Sequence, residues 1–193
     1  MEPDRLRGIV ASAQAGMAEG YQALLEAYGP RLFAYFFRAT GSYHDAEDLL
    51  GELMLRLVRR LKSYVDQGRF DQWLFRIAAN MVRDRIRRRV AAPSTLSLAG
   101  QGGEEQSPAG QIPGKGPAVD APLMVTEASK HLSAALAKLD ETTRQMMLLR
   151  HFGEMSFKEI AEIFECPLGT ALARVHRGLR TLRKLMSDED EPD

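Results

Sequence analysis

The chain has 193 residues, 45% hydrophobic and 27% charged, which fits one larger or two small soluble domains and excludes collagen-like or wholly disordered chains. Its 26 basic side chains balance 26 acidic ones, so total charge singles out neither a nucleic-acid nor a membrane partner, and the distribution decides. A single cysteine, Cys166, cannot close an intramolecular disulfide or complete a cysteine-based zinc site.

The start, Met1-Glu2-Pro3-Asp4-Arg5, lacks the basic and apolar segments of a signal peptide. No run approaches the ~20 apolar residues of a membrane helix. The expectation is an unexported, unanchored protein in a reducing cytoplasm, with no metal or cofactor site.

Apolar residues recur at spacings of three and four and no stretch alternates as a strand does, so the chain reads as all-α. In residues 1–92 the pattern predicts helices over about Asp4–Ala18, Tyr21–Tyr28, Pro30–Thr40, Asp45–Val65 and Phe70–Arg89, punctuated by Gly29, Gly41 and Gly68. The helix from Asp45 carries Asp45, Glu47, Asp48 and Glu52 at its start and Arg56, Arg59, Arg60 and Lys62 at its end. That order suits the helix dipole, and it suits a docking surface for a protein equally well. In the next helix, burying Phe70, Trp73, Leu74, Ile77, Met81 and Val82 leaves Arg76, Asn80, Arg83 and Arg87 as a polar stripe at steps of four, three and four. Cations can grip a phosphate backbone and an amide among them can pair with a base edge, so the stripe has the chemistry of a nucleic-acid surface. Tyr64 and Phe70 flank the preceding loop, where an aromatic ring could stack on an unpaired base.

Residues 93–122 interrupt the pattern: 11 of these 30 are Gly or Pro, the composition of a flexible linker. Gly114-Lys115-Gly116 lacks the rest of a phosphate-binding loop and carries no weight as one. Splitting the chain here exposes the charge pattern. Residues 1–92 hold 15 basic and 11 acidic side chains, and residues 123–186 hold 10 and 7, while five acids crowd the tail at 187–193.

The second module predicts helices over about Leu123–Leu139, Glu141–Phe152, Phe157–Phe164 and Pro167–Met186. Asp140 can cap one, Gly153 can end it, and Ser156-Phe157-Lys158-Glu159 has the form of a capping box. Glu165-Cys166-Pro167 then makes a tight turn, with Pro167 suited to a helix start. Ile160, Ile163 and Phe164 would face Leu168, Leu172, Val175, Leu179 and Leu182, giving a helix-turn-helix. In that motif the second helix enters the major groove, with Gly169 and Thr170 at its N-terminus and Arg174, Arg177, Arg180, Arg183 and Lys184 along its outward faces. An amphipathic helix with a solvated basic face is the plainer alternative.

Three segments, taken in order, resemble an extracytoplasmic-function (ECF) sigma factor of bacterial RNA polymerase. They are Tyr43-His44-Asp45-Ala46-Glu47-Asp48-Leu49-Leu50, Phe70-Asp71-Gln72-Trp73-Leu74-Phe75-Arg76-Ile77-Ala78-Ala79-Asn80, and Ser156-Phe157-Lys158-Glu159-Ile160-Ala161-Glu162-Ile163 with Cys166-Pro167-Leu168-Gly169-Thr170. The resemblance covers about residues 17–92 and 125–186. It implies two small helical domains, sigma region 2 at 1–92 and region 4 at 123–186, joined by the linker at 93–122 and followed by the acidic tail.

Region 2 would dock on the clamp of the polymerase largest subunit through Asp45, Asp48, Leu49, Glu52 and Arg56. It would read and open the minus-ten promoter element through Tyr64, Arg69, Arg76, Asn80, Arg83 and Arg87. Region 4 would read the minus-thirty-five element through Gly169, Thr170, Arg174 and Arg177, beside the flap of the second-largest subunit. Anti-sigma factors are further partners that the family implies.

Two departures qualify the resemblance. Gly51 stands where the family usually has Gln, and Ala171-Leu172-Ala173 lacks two polar side chains common before the Arg at 174. An alternative of another class is a helix-turn-helix regulator that does not engage polymerase, which Gly51 keeps open. An enzyme is disfavoured, since His44, His131, His151 and His176 share no ligand or triad spacing with each other or with Cys166.

Overall fold

The computed structural model describes residues 2–91 and 127–187; the linker at 93–122, the expected helix start at Leu123 and the acidic tail from 188 lie outside the described residues. Among the described residues there are eight α-helices, one 3-10 turn and no strand. The first set is α1 (Pro3–Gln14), α2 (Ala18–Thr40), α3 (Tyr43–Arg60) and α4 (Phe70–Ala91), with the 3-10 turn at Leu61–Ser63. The second is α5 (Glu127–Ala137), α6 (Glu141–Phe152), α7 (Phe157–Ile163) and α8 (Leu168–Ser187).

Local chemistry sets most of these boundaries. The hydroxyl of Ser42 accepts the Asp45 N–H at 3.2 Å and starts α3 two residues before the expected Asp45, while Arg59 and Arg60 close it on the negative end of its dipole. Asp140 caps α6 by accepting the Thr143 N–H at 3.0 Å. The box at α7 is reciprocal: Ser156 Oγ accepts the Glu159 N–H, and the Glu159 carboxylate accepts the Ser156 N–H at 2.8 Å.

The expected break at Gly29-Pro30 does not occur. Pro30 lies inside a single 23-residue α2, although a ring there removes one backbone hydrogen bond and crowds the preceding turn at a cost of ~3 kcal/mol. Leu24, Tyr28, Leu32, Phe33, Tyr35 and Phe36 are buried on both sides of it. Each contributes about 1.5–3 kcal/mol, enough to hold the helix through the proline.

The second correction concerns α8. Leu168, Leu172 and Leu179 are exposed, and the inner face is Ala171, Val175 and Gly178. A Cβ on Gly178 would lie 2.4 Å from Met147 Sδ and 2.6 Å from Thr143 Cγ2. The small residues thus let α6 approach closely, and the helix is rotated so that the leucines point away. Trp73, expected in the core with Phe70, is only partly buried, whereas Phe70 is fully buried.

The two sets pack on each other through α2, α4, α6 and α7. Tyr35 of α2 is edge-on to both Phe75 of α4, at 5.6 Å between centroids, and Phe152 of α6, at 6.4 Å. The Arg38 guanidinium lies over the Phe152 ring, 5.6 Å from its centre. Gly153 comes so close to α4 that a Cβ there would stand 3.0 Å from Phe75 Cβ.

Gly51 does not interrupt α3: it is helical, exposed and has open space where a Cβ would go. Gly51→Ala should therefore raise stability by up to about 1 kcal/mol, through the lower conformational entropy of the unfolded chain. In thermal unfolding followed by circular dichroism this is a rise of roughly 2–4 °C for a chain of this size.

Candidate nucleic-acid interface

The interface begins at the loop between the 3-10 turn and α4. Gln14 of α1 donates through Nε2 to the carbonyls of Leu61, at 3.0 Å, and Tyr64, at 2.7 Å, which ties the loop to the bundle. Within it Asp66 accepts the Tyr64 hydroxyl at 3.2 Å and the Gly68 N–H at 2.9 Å, and Gly68 takes φ +71°, which glycine adopts without strain. Burial first, and the Asp66 carboxylate second, push the Tyr64 phenol up to about 12, so it remains a donor.

Tyr64, Phe70 and Trp73 form an aromatic cluster, with Tyr64 and Trp73 centroids 4.6 Å apart. Tyr28 and Arg31 of α2 hold the start of α4 through the Asp71 carboxylate, at 3.0 and 2.6 Å. Sequence reasoning set Trp73 aside as core, yet it lines a cleft of about 510 Å³ with Tyr64, Arg69, Gln72 and Arg76. A tryptophan one turn ahead of the first stripe arginine was the available signal.

Along α4 the stripe of Arg76, Asn80, Arg83 and Arg87 does stand on the outer face, with Arg83 half-buried and the others exposed. Asn80, Arg83 and Arg87 line a second cleft, of about 370 Å³, joined by Arg56 and Arg60 of α3. Arg56 was placed by sequence on the polymerase-docking side and Arg60 on neither. The end of α3 thus adds guanidinium groups to the stripe, which the linear sequence did not disclose.

The docking set on α3 divides. Leu49 is a core residue with 2% of its surface exposed, because it shares a helix face with Ala46, Leu50, Leu53 and Leu57, and it cannot serve as a surface contact. Asp45 is also buried, held by Arg85 at 3.0 Å and by Arg89, and Asp48 is 2.8 Å from Arg85. Asp45 therefore acts as a bolt between α3 and α4. Glu52 and Arg56 pair with each other at 2.6 Å near the surface. The outward face contains two apolar residues that the reading of charges missed, Leu55 at 65% exposure and Val58 at 47%.

In the helix-turn-helix, Cys166 N–H donates to Ala161 O at 3.0 Å and Glu165 takes φ +51°, which sets the sharp turn into α8. Gly169 and Arg177 are exposed and Thr170 is half-buried. Arg174 turns back: its Nη1 donates to Asp140 Oδ1 at 3.1 Å, fastening α8 to the cap of α6. Burial raises the Asp140 carboxyl, but hydrogen bonds from Thr143 and the Arg174 guanidinium outweigh it and hold the group below the usual carboxylate range. Among the described residues no group of three or more His, Cys, Asp and Glu side chains could hold a metal ion. No helix among them is long and apolar enough to cross a membrane.

Known proteins match this arrangement. The family model for Sigma-70 region 2 matches residues 24–91, and that for Sigma-70 region 4 matches residues 130–182. The ECF RNA polymerase sigma factor SigW of Bacillus subtilis is 28% identical over 179 residues, 93% of this chain and 95% of that protein. The RNA polymerase sigma factor CarQ of Myxococcus xanthus is 29% identical, over 90% of this chain and 92% of its own. The fold matches CnrH, solved in complex with the cytosolic domain of CnrY, with a TM-score of 0.61 and 21% identity over 96% of this chain and 98% of that one. It also matches RpoE of Bartonella quintana, solved with the anti-sigma factor NepR, with a TM-score of 0.61 and 19% identity over 88% and 98% of the two chains.

A basic, aromatic-edged bundle of the region 2 type followed by a helix-turn-helix of the region 4 type defines a sigma factor of RNA polymerase. Within that class the chain belongs to the ECF group.

The Asp140–Arg174 contact has a pH signature. Because the folded state holds the carboxyl below its ordinary value, the contact stabilises the fold above that value and is lost as pH falls through the folded one. Asp140→Asn keeps the cap but removes the charge. The urea midpoint of the variant should lie below that of the parent at pH 7, and the gap should close below about pH 4.

Proposed function

We propose that α1–α4 engage core polymerase and open the minus-ten element while α5–α8 read the minus-thirty-five element, the two units being residues 1–92 and 123–186, joined by the linker at 93–122. The observation that carries this is the outer face of α4. Asn80 is exposed, its side chain makes no hydrogen bond among the described residues, and arginines stand on either side beyond an aromatic loop. An unpartnered amide suits an exposed base, flanking guanidinium groups suit phosphates, and a ring pair can stack on an unpaired base.

Docking on the polymerase clamp falls to the outward face of α3, with Asp48 and Glu52 beside Leu55 and Val58, and not to the buried Leu49 and Asp45 or to Arg56, which turns toward the stripe. In region 4, Gly169, Thr170 and Arg177 face the groove, while Arg174 divides its role between DNA and the α6 cap. Initiation then needs no chemistry from this chain: it places and opens DNA in the cytoplasm, and polymerase makes the bonds. Regulation by an anti-sigma factor follows RpoE of Bartonella quintana, which was solved with the anti-sigma factor NepR.

Run-off transcription by core polymerase on fragmented genomic DNA, with and without this chain, tests the reading. New mapped start sites are expected. Failure to form a complex with core enzyme, where an unrelated sigma factor does, would favour a regulator that does not engage polymerase.

Asn80→Ala should reduce permanganate reactivity on duplex promoters, with a pre-melted bubble restoring it and the melting temperature unchanged. A loss of stability would instead make the amide structural. Arg177→Ala should cost about 1–3 kcal/mol on matched upstream DNA if it makes a two-bond guanine contact. A phosphate contact would weaken matched and scrambled DNA alike and reduce the salt slope by about one.

A further inference from the structure

The second turn of α8 is apolar where it meets solvent. Leu172 and Ala173 are both exposed there, one turn after Leu168, which is exposed as well. Leu168, Leu172 and Leu179 recur at steps of four and seven and so share one strip of the helix. Around that strip stand Arg177, Arg180, Arg183 and Lys184, all exposed, and none of them forms an ion pair among the described residues. Arg174, the one charged side chain of the second turn, is drawn aside to Asp140 at 3.1 Å. Leucine and alanine are therefore what this turn presents outward.

Exposed leucines framed by cations fit a partner that is anionic at its rim and apolar at a point on its floor. The major groove of duplex DNA is such a partner, because phosphates line its edges and the C5 methyl of thymine is the one apolar group among its base edges. We infer that Leu172, supported by Leu168, is a specificity-determining residue that selects thymine in the upstream element by packing against that methyl group. This rests on the reading of α8 as the helix that enters the groove.

A leucine side chain neither donates nor accepts a hydrogen bond. Opposite guanine, adenine or cytosine it would cover a polar base edge and leave it without water. Opposite thymine it displaces water from a methyl group, which is favourable. Gly169 has open space where a Cβ would go and Ala173 carries only a methyl, so the first two turns can come close to the base edges. Leu168 and Leu172 stand about 6 Å apart along the helix axis, and base pairs stack about 3.4 Å apart, so the selected thymines fall within neighbouring steps. Leu179, about 10 Å beyond Leu172, lies outside the N-terminal turns that reach base edges.

The test uses the full chain and a duplex that it enriches from a randomised library. Each thymine of that duplex is replaced in turn by uracil, which removes the methyl and keeps every hydrogen-bonding group, and binding is followed by fluorescence anisotropy. At one or two neighbouring positions affinity should fall about fourfold, the effect of one buried methyl group. Leu172→Ala, a change at an exposed position, should bind the thymine and uracil duplexes alike, both near the affinity of the parent for uracil. Leu179→Ala should keep the profile of the parent.

An enriched duplex without a uracil-sensitive thymine overturns the inference, as does sensitivity that survives Leu172→Ala or disappears with Leu179→Ala. Arg177→Ala separates this outcome from failure of the underlying reading. If that variant binds the enriched duplex more weakly while uracil has no effect, α8 remains the groove helix and only the thymine contact is wrong. If no duplex is enriched, or if Arg177→Ala and Leu172→Ala both bind it as tightly as the parent, the groove reading falls and the thymine contact falls with it.

Discussion

The seam of aromatic side chains along α2 is the contact on which the rest of the molecule depends. Tyr28, Phe33, Tyr35 and Phe36 project from one helix toward α3 and α4 on some turns and toward α6 on others, and all four are buried. Their burial holds α2 continuous through Pro30, and a continuous α2 is what lets one helix support both the polar stripe of α4 and the packing of the second module. Tyr35 pays for its position with a hydroxyl that is buried and has no hydrogen-bond partner among the described residues. Burial holds that phenol well above its ordinary value, so it stays neutral at any pH the protein meets.

Much of this architecture was legible in the sequence because it is set by signals that act over one turn of helix. Asp140 and the Ser156–Glu159 box begin helices where their short-range chemistry says they should, whereas the Ser42 cap went unread and α3 starts two residues before the expected Asp45. The spacing of Arg76, Asn80, Arg83 and Arg87 likewise placed them on one face before any tertiary contact was considered. Where the reading failed, a contact between distant elements had overridden a local rule. Pro30 reads as a break until the apolar residues on both sides are buried together. Leu168, Leu172 and Leu179 read as core until the close approach of α6 over Gly178 turns them outward.

The site residues show the same division. Charge order along α3 suggested a docking surface, but it could not reveal that Asp45 faces inward to Arg85 and Arg89, or that Leu49 belongs to the core while Leu55 does not. Nor could it show that Arg56 and Arg60 turn toward the stripe on α4. Arg174 is the clearest example in the second module. Its place in the motif suggested DNA, and its geometry gives it a second task at a helix cap. In each case the residue type was right for its chemistry and the partner was distant in sequence.

Glu159 joins two scales of the structure, since it caps α7 through Ser156 and also meets Arg69 across the module boundary. If the modules part, its carboxylate keeps the Ser156 N–H and hydroxyl, so no buried charge is orphaned. Arg69, already 59% exposed, returns to water with little left to desolvate. Opening thus leaves neither ion stranded, unlike the rupture of a buried pair, where one naked charge makes the broken state costly. The charged rim of the boundary therefore behaves as a hook, while Tyr35, packed on both Phe75 and Phe152, is the weld that keeps the modules joined.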